Sequence, residues 1–163
     1  MIEAILAVYS DWGIGDGTTQ PVVLSADRKH FRDITMNSAV IVGRKTLGDF
    51  PGGKPLKGRC NIVVTRQDIE IEGAEVVHST AEALAAAEKH VRCFVIGGAS
   101  IFEQFLPHTG KVHLTKLDCR PESSRFFPNL DELPEWKCTD CGEALEENGI
   151  SYRFCTYERI END

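Results

Sequence analysis

The sequence has no long apolar run and no excess of positive charge, and each shortage excludes a class of protein. Its first apolar run, residues 4–9, is far shorter than the roughly 20 residues that a membrane-spanning helix needs. No basic segment typical of an export signal precedes it. Lys and Arg number 18 against 25 Asp and Glu, which gives a net charge of −7 at pH 7. Because nucleic acids and anionic membranes attract basic surfaces, we expect a cytoplasmic protein with neither as partner.

Cysteines and histidines are not spaced as metal ligands. Without an export signal, the six cysteines are expected to be reduced thiols. Cys138 and Cys141 form a CxxC pair, which is half of a zinc site, but no second CxxC or histidine pair at ligand spacing completes it. Cys60 and Cys93 lie in apolar runs, and we expect them to be packing residues. The sequence therefore predicts no metal site.

The alternation of apolar runs and helical stretches predicts an α/β fold in a single domain over residues 1–163. The interior runs are almost continuously apolar, as in strands covered on both faces of a parallel sheet. Strands are predicted at residues 4–9, 39–42, 61–65, 75–78, 93–96 and 112–117, and helices at 27–35, from 44, at 80–90 and at 100–106. Residues 136–141 and 151–159 predict an antiparallel hairpin. We expect a mostly parallel, twisted sheet of about eight strands with flanking helices and this hairpin at its C-terminal end.

One acidic residue, Asp27, is placed where it could bind a ligand. An apolar run leads into a predicted helix with Ser25 as N-cap and Asp27 in the first turn. Phe31 follows four residues later and shares a helix face with Asp27. A carboxylate beside an aromatic ring suits a flat heterocycle with adjacent N–H donors, because its two oxygens accept two parallel hydrogen bonds. The alternative is an Asp that only favours the helix dipole.

Two strand-to-helix turns have the composition of phosphate-binding turns. One reads Gly43-Arg44-Lys45-Thr46 and the other Gly97-Gly98-Ala99-Ser100. Helix N-termini offer free N–H groups to anions, and glycine allows close approach to the backbone. Neither turn is a Walker loop or a full GxGxxG motif, and each glycine could instead serve helix packing. Both turns follow predicted parallel strands, whose carboxyl ends bind ligands in open α/β sheets.

Three arginines are candidates for binding anionic groups of a ligand. Arg44 and Arg66 each follow a predicted strand, and on neighbouring strands they could hold one extra phosphate. That favours NADP over NAD, since no acid lies about 20 residues beyond a glycine motif to bind a ribose diol. Arg59 precedes a strand and could grip a carboxylate with two hydrogen bonds. The alternative for Arg66 and Arg59 is an ordinary solvated charge.

The ordered series of these motifs resembles the dihydrofolate reductase family over the whole chain. The matching segments are Ala7-Val8-Tyr9-Ser10, Trp12-Gly13-Ile14-Gly15, Gln20-Pro21, the helix of Asp27 and Phe31, Val42-Gly43-Arg44-Lys45-Thr46, Pro55-Leu56-Lys57-Gly58-Arg59, Val95-Ile96-Gly97-Gly98, Leu114-Thr115-Lys116-Leu117-Asp118 and Phe126-Phe127-Pro128. Any one segment is weak evidence. Their common order and spacing make the resemblance specific.

The resemblance implies that NADPH donates a hydride to C6 of dihydrofolate while a proton reaches N5 through water. It implies catalytic roles for Asp27 and for Thr115, whose hydroxyl would orient the carboxylate. The implied substrate-binding residues are Tyr9, Asp27, Phe31, Arg32, Phe50, Arg59 and Thr115. The implied cofactor-binding residues are Ala7, Ile14, Gly15, Gly43, Arg44, Lys45, Thr46, Thr65, Arg66, Ile96, Gly97, Gly98, Ala99, Ser100, Ile101 and Phe102. Burial would raise the pKa of Asp27 and the helix N-terminus would lower it, and this balance stays open.

The resemblance also implies a mobile loop, residues 15–21, that closes over the nicotinamide together with Ile14. Three positions depart from the family pattern: Val22 stands where many relatives carry Trp, Arg28 replaces an apolar contact, and Phe102 stands where many carry Tyr. These departures put the turnover rate and the antifolate affinity in doubt, but they remove no group that the chemistry requires. A monomer is implied by the resemblance alone.

Two other functions stay open at this point. A reductase of riboflavin biosynthesis with the same fold also uses NADPH, but it generally lacks the helix pattern of Asp27 and Phe31. A paralogue that binds pterin or nucleotide without turnover would fit the departures at Val22 and Phe102. Tight NADPH binding without oxidation would identify such a paralogue.

Overall fold

The computed structural model describes residues 1–17 and 19–160. Nine strands within these residues form one sheet. They are β1 (Ile2–Val8), β2 (Ala39–Gly43), β3 (Cys60–Val64), β4 (Ala74–Val77), β5 (Cys93–Gly97), β6 (Thr109–Leu117), β7 (Trp136–Cys141), β8 (Leu145–Glu147) and β9 (Ile150–Arg159). The helices are α1 (Ser25–Thr35), α2 (Arg44–Gly48), α3 (Thr80–Ala87) and α4 (Ala99–Phe105), with short 3₁₀ turns at Pro51–Gly53, Leu106–His108 and Leu130–Glu132.

The sheet is parallel over most of its width and antiparallel at one end. Its strand order is β4-β3-β2-β5-β1-β6-β9-β7, with β8 also paired to β9. The first six strands in this order run parallel, and β6, β7 and β8 pair with β9 antiparallel. This confirms the predicted mostly parallel α/β sheet with antiparallel strands at its C-terminal end.

The sheet has one strand more than the eight or so expected, because β8 was predicted as loop. Asn148 and Gly149 both have positive φ, 53° and 78°. Two consecutive left-handed residues form the tight hairpin turn that suits the twist of paired strands. The turn folds Glu147 back opposite Ile150, so that a polar segment without strand periodicity becomes a strand.

The central strands are covered on both faces, which explains their unbroken apolar runs. Val40, Ile41 and Val42 of β2 are all 0 % exposed. On the face that carries α1, Phe31 and Ile34 of the helix pack against a buried cluster of the sheet, formed by Ile5, Val40 and Phe94. This packing sets the position of α1, and therefore of Asp27, over the middle of the sheet.

The predicted N-cap of α1 is wrong. The N-cap is Leu24, which has no side chain able to cap, and Ser25 is the first helical residue. The carboxylate of Glu147, in β8, instead accepts hydrogen bonds from the backbone N–H groups of Ser25 at 2.7 Å and Ala26 at 3.0 Å. A side chain from the far end of the sequence thus satisfies the helix terminus that Ser25 was expected to cap.

The cysteines differ from expectation at three positions. Cys141 and Cys155 face each other across β7 and β9, with Cα atoms 4.1 Å apart, and their sulfurs are joined as a disulfide. The expectation of six free thiols is therefore wrong for this pair. Cys93 is buried as expected, whereas Cys60 is exposed and is not a packing residue. Across residues 1–17 and 19–160 no cluster of His, Cys, Asp or Glu could hold a metal ion. No helix in the same residues is long and apolar enough to cross a membrane.

Candidate active site

Two adjoining cavities open along the sheet where β1, β2 and β5 reach their carboxyl ends. The first, of about 240 Å³, is lined by Ile5, Leu6, Ala7, Ile14, Gly17, Gln20, Asp27, Arg28, Phe31, Thr46, Ile96, Gly97, Gly98 and Phe102. The second, of about 500 Å³, is lined by Asp16, Gly17, Gly43, Arg44, Lys45, Thr46, Val64, Thr65, Arg66, His78, Ser79, Thr80, Gly98, Ala99, Ser100, Ile101, Gln104 and Arg125. Gly17, Thr46 and Gly98 line both cavities. Two ligand groups bound in the two cavities would therefore lie side by side.

The carboxyl group of Asp27 is held against the sheet by Thr115. Asp27 lies in the first turn of α1, and its Oδ1 accepts a hydrogen bond from the Thr115 hydroxyl at 2.6 Å. Thr115 is 1 % exposed and pairs with Ala7 of the neighbouring strand β1. A short bond from a buried strand residue fixes the orientation of the carboxyl group.

Burial has the largest effect on the pKa of Asp27, a balance that the sequence left open. Removal from water disfavours the carboxylate and raises its pKa above the usual value, while the Thr115 hydrogen bond partly opposes the rise. The negative charge of Glu147 adds to the rise. Proton affinity at this site is therefore higher than that of an exposed aspartate.

Among the described residues that line the first cavity, most are apolar and Asp27 is the one acidic side chain. Asp27 and Phe31 both line it, as their four-residue spacing on one helix face predicted. Arg28 also lines it, although the residue as a whole is exposed. A flat ring with N–H groups on one edge matches this arrangement of polar and apolar surface.

The second cavity is basic, in a protein of net charge −7. Arg44 and Lys45 begin α2, Arg66 follows β3, and Arg125 reaches the cavity from the loop after β6. Paired parallel strands β2 and β3 bring Arg44 and Arg66 to the same edge of the sheet. Four cations around one cavity form the local basic cluster that an anionic ligand needs in an acidic protein.

At both turns beside the second cavity, a side chain in place of glycine would meet close neighbours. A Cβ on Gly98 would overlap the carbonyl oxygen of Gly17 and lie 2.9 Å from Thr46 Oγ1. A Cβ on Gly43 would lie 3.0 Å from Ile101 Cγ1 of α4. The helix-packing role therefore holds for Gly43, and it coexists with the position of Gly43 in the cavity wall. The peptide bond between Gly97 and Gly98 is cis.

The predicted mobile loop lies across the junction of the cavities. The Gly17 carbonyl accepts a hydrogen bond from Ala99 N at 2.9 Å, and Gln20 Nε2 donates to the Ala7 carbonyl at 2.8 Å. Thr18, within the same predicted loop, lies outside the described residues. The loop contacts the β5–α4 turn at one end and β1 at the other, and its residues Gly17 and Gln20 line the cavities.

Several predicted residues lie outside both cavities. Tyr9 is 1 % exposed, and its hydroxyl accepts a hydrogen bond from Val22 N at 3.1 Å, which ties down the end of the loop. Phe50 packs beside the buried cluster of Val42, Leu47 and Val63. The other four are Gly15 and Thr115, which are buried, Arg32, which is exposed, and Arg59, which is half-buried.

Arg59 lies beside α1 with neutral partners. Its Nε donates to the Lys57 carbonyl at 2.9 Å and a terminal nitrogen donates to Thr35 Oγ1 at 3.1 Å. Burial, and after it the positive charge of Arg32, lower the pKa of Arg59. In the part of the chain that the structure describes, no carboxylate lies within ion-pair distance of this guanidinium.

Sequence reasoning missed cavity residues contributed by a third turn and by distant loops. The β4–α3 turn places His78, Ser79 and Thr80 beside the second cavity. Its capping pattern was a usable signal, because Ser79 Oγ does accept from Glu82 N at 3.1 Å and the turn follows a parallel strand. Gln104 lies in α4, four residues after the predicted residue Ser100, so helical spacing could have indicated it. Arg125 had no local signal, since only the folding of a remote loop brings it to the cavity.

Comparisons with known proteins agree on one family. A family model described as dihydrofolate reductase matches residues 1–159. The chain is 36 % identical over 162 residues to a dihydrofolate reductase of Bacillus subtilis (strain 168), which covers 98 % of this chain and 95 % of that protein. It is 35 % identical over 164 residues to a dihydrofolate reductase of Mycobacterium tuberculosis (strain H37Rv), covering 98 % of each. A solved dihydrofolate reductase from Enterococcus faecalis, complexed with NADP(H) and RAB-propyl, superposes with a TM-score of 0.87 at 29 % identity and covers 99 % of this chain and 97 % of that one.

Proposed function

Because this chain belongs to the dihydrofolate reductase family, we propose that its first cavity takes the pterin of dihydrofolate and its second cavity takes the body of NADPH. The reaction of the chain is the NADPH-dependent reduction of 7,8-dihydrofolate to 5,6,7,8-tetrahydrofolate. When bound, NADPH supplies the hydride that forms the new C–H bond at C6, and N5 takes a proton. The family assignment decides against a riboflavin-pathway substrate.

Asp27 is the proposed anchor of the pterin. The observation that carries this role is the 2.6 Å hydrogen bond that fixes Asp27 Oδ1 on Thr115 while the carboxyl group lines the first cavity. Oδ2 and the second lone pair of Oδ1 then serve as acceptors for the pterin 2-amino group and N3–H. Among the described lining residues Asp27 is the only carboxyl, and we assign it to orienting and polarising the ring, with the proton for N5 arriving through water.

The remainder of the substrate is assigned to the rim of the first cavity. Phe31 offers its ring to the pterin and benzoyl groups. The guanidinium of Arg59, whose hydrogen bonds go to the neutral Lys57 carbonyl and Thr35 hydroxyl, suits the α-carboxylate of the glutamate tail. Arg32, Phe50 and Tyr9 stay as predicted substrate residues, although none of them lines the first cavity.

The cofactor is assigned to the basic cavity by the chemistry of its donors. Arg44 and Arg66 are proposed to bind the 2′-phosphate, whose charge distinguishes NADPH from NADH. The pyrophosphate is assigned to Lys45, Thr46 and the backbone of residues 97–100. The remaining predicted cofactor residues, divided between the two cavities and the buried loop position, are Ala7, Ile14, Gly15, Gly43, Thr65, Ile96, Ile101 and Phe102.

Three broader properties are also proposed. The net charge of −7 favours a protein without a nucleic-acid partner. A monomer is proposed from the family resemblance. Cytoplasmic residence fits an enzyme whose cofactor and substrate are soluble metabolites.

The test of the assignment is NADPH oxidation by the purified protein with dihydrofolate, with NADH and a no-substrate sample as controls. Asp27→Asn is expected to lower turnover by about 10²- to 10⁴-fold with little change in NADPH binding. The matched control is Asp33→Asn, which removes an exposed carboxylate of the same helix that pairs with Lys29. An Asp27→Asn enzyme with full activity at neutral pH would overturn the role given to Asp27. NADPH binding without turnover in the parent protein would identify a silent binder.

A further inference from the structure

Glu147 forms hydrogen bonds that neither the proposed reaction nor the local sequence patterns explain. Its Oε2 accepts from Ser25 N at 2.7 Å, and its Oε1 accepts from Ser25 Oγ and from Ala26 N, both at 3.0 Å. Helix α1 has no capping side chain of its own, because Leu24 is its N-cap. The first N–H of α1 with a helical partner belongs to Arg28, which donates to the Leu24 carbonyl. Glu147 thus satisfies two of the free N–H groups at this terminus.

The element that carries Glu147 is tied to the strand that carries Thr115. Glu147 pairs with Ile150 at the end of the β8–β9 hairpin. Strand β9 continues into the sheet, where Phe154 pairs with Thr115 of β6. The first turn of α1 is therefore held at two points by strands of the same sheet. Glu147 accepts hydrogen bonds from its backbone, and Thr115 donates one to the Asp27 side chain.

The interaction of Glu147 with the N-terminus of α1 also has an electrostatic component. A carboxylate at a helix N-terminus neutralises the positive end of the helix dipole. Backbone hydrogen bonds from Ala26 and Ser25 lower the pKa of Glu147, so that it is ionised at neutral pH. Its charge in turn raises the pKa of Asp27, in addition to the larger effect of burial.

Of the groups near Asp27 that are considered below, Glu147 is the charged one that comes from another element. Strand β6 contributes the neutral Thr115, while Lys116 lies over Trp12 and Tyr157. Within α1, Arg28 is exposed but also lines the first cavity, and His30 stacks on Phe154, with ring centroids 3.9 Å apart. Of these, Glu147 is the group that acts on Asp27 through its charge.

We propose that Glu147 is a positioning residue of the reductase, which holds the first turn of α1 from the β8–β9 hairpin and so sets the placement of the Asp27 carboxyl. The proposal rests on the proposed role of Asp27 in binding the pterin. It assigns a function to a hairpin that contributes no residue to either cavity. It also assigns the capping role to a side chain 122 positions from Ser25.

The experiment compares Glu147→Gln, Glu147→Asp and the parent enzyme. The matched control is Glu146→Gln, which removes an exposed carboxylate from the adjacent position of β8, on the opposite face of that strand. KM for dihydrofolate, KM for NADPH and kcat are measured from pH 5 to pH 9. The pKa of Asp27 is read from its carboxyl ¹³C signal, assigned with Asp27→Asn.

With Glu147→Gln we expect KM for dihydrofolate to rise by about two- to fivefold while KM for NADPH is unchanged. The acid dissociation constant of Asp27 should increase by a similar factor, because the repelling charge is gone and the helix dipole is unmasked. Glu147→Asp should restore the pKa of Asp27 in part, since it keeps the charge. Glu146→Gln should change neither quantity. A general loss of stability would move neither the pKa nor the ratio of the two KM values.

An unchanged pKa of Asp27 and an unchanged KM for dihydrofolate in Glu147→Gln would overturn the proposal. If Glu147→Gln fails to fold, the test uses Glu147→Asp. The proposal would then be overturned if both the pKa of Asp27 and KM for dihydrofolate were identical to those of the parent enzyme. The failure of the proposed function has a different signature. Full activity of Asp27→Asn would remove Asp27 from the site, while the ¹³C titration would still report whether Glu147 acts on Asp27.

Discussion

Replacing Thr115 by Val tests how the Asp27 carboxyl is held. The change keeps the shape of a side chain that is 1 % exposed and removes the hydroxyl that donates to Asp27 Oδ1 at 2.6 Å. A hydrogen bond to a charged group contributes about 1.5–3 kcal/mol. Because this bond favours the ionised carboxyl, its loss should raise the pKa of Asp27 further, beyond the rise already due to burial.

The functional consequence follows from the proposed role of the carboxylate. Without the hydroxyl the carboxyl group is less well oriented, and the fraction of it that is protonated grows at higher pH than in the parent, so fewer molecules accept both pterin N–H groups. We expect kcat/KM for dihydrofolate to fall by about tenfold at pH 7, and the decline of substrate binding on acidification to begin at higher pH. NADPH binding should be unchanged, because Thr115 does not line the basic cavity.

The assay is a pH series of initial rates, combined with the ¹³C titration of Asp27. The control is Thr109→Val, which removes another buried hydroxyl of β6, one that donates to the Phe105 carbonyl at 2.7 Å, away from the cavities. Both variants lose one buried hydrogen bond, so a difference between them isolates the contact with Asp27. A pKa of Asp27 that is the same in Thr115→Val as in the parent would refute the reasoning.

Two further predictions concern the cofactor and the stability of the fold. Replacing Arg44 and Arg66 by Glu should weaken NADPH binding far more than NADH binding in paired titrations, and an equal loss for both cofactors would contradict the 2′-phosphate assignment. Burial alone would raise the pKa of Glu3, but hydrogen bonds from His113 and Arg92 outweigh it and lower the pKa to about 2. Glu3 therefore stabilises the fold above pH 4.5, and this contribution is lost as the pH falls toward 2. Urea unfolding should show Glu3→Gln to be less stable by about 2 kcal/mol at pH 7, allowing for the exposed Arg92; a difference that stays constant down to pH 3 would contradict it.

The local patterns of the sequence were sufficient for the class of fold and for the centre of the site. Val40 to Val42 are apolar because they are covered on both faces, and a run of that kind predicts a parallel strand wherever it occurs. The spacing of Asp27 and Phe31 puts them on one helix face whatever the helix packs against, and both line the first cavity. The two glycine turns could be predicted for the same reason, since the conformation of a turn depends on its own residues.

The errors concern features that depend on a distant partner. Ser25 has the character of an N-cap, but the helix starts one residue early because Glu147 reaches its N–H groups across the fold. Cys141 and Cys155 are joined because the register of β7 on β9 sets them opposite each other. Neither partner could be identified from the residues that surround it in the sequence.

By itself, then, the sequence determined what each segment becomes: buried strands, helix faces, glycine turns and an acid beside an aromatic ring, all encoded within a few residues by periodicity and backbone preference. The tertiary structure alone decided which segments meet. Strand order placed Thr115 beneath Asp27 and Arg125 beside the basic cavity, and the hairpin after β7 delivered Glu147 to the start of α1. The physical reason is that hydrogen bonds, desolvation and charge act over a few ångströms of space, whereas a local pattern reports only on neighbours along the chain.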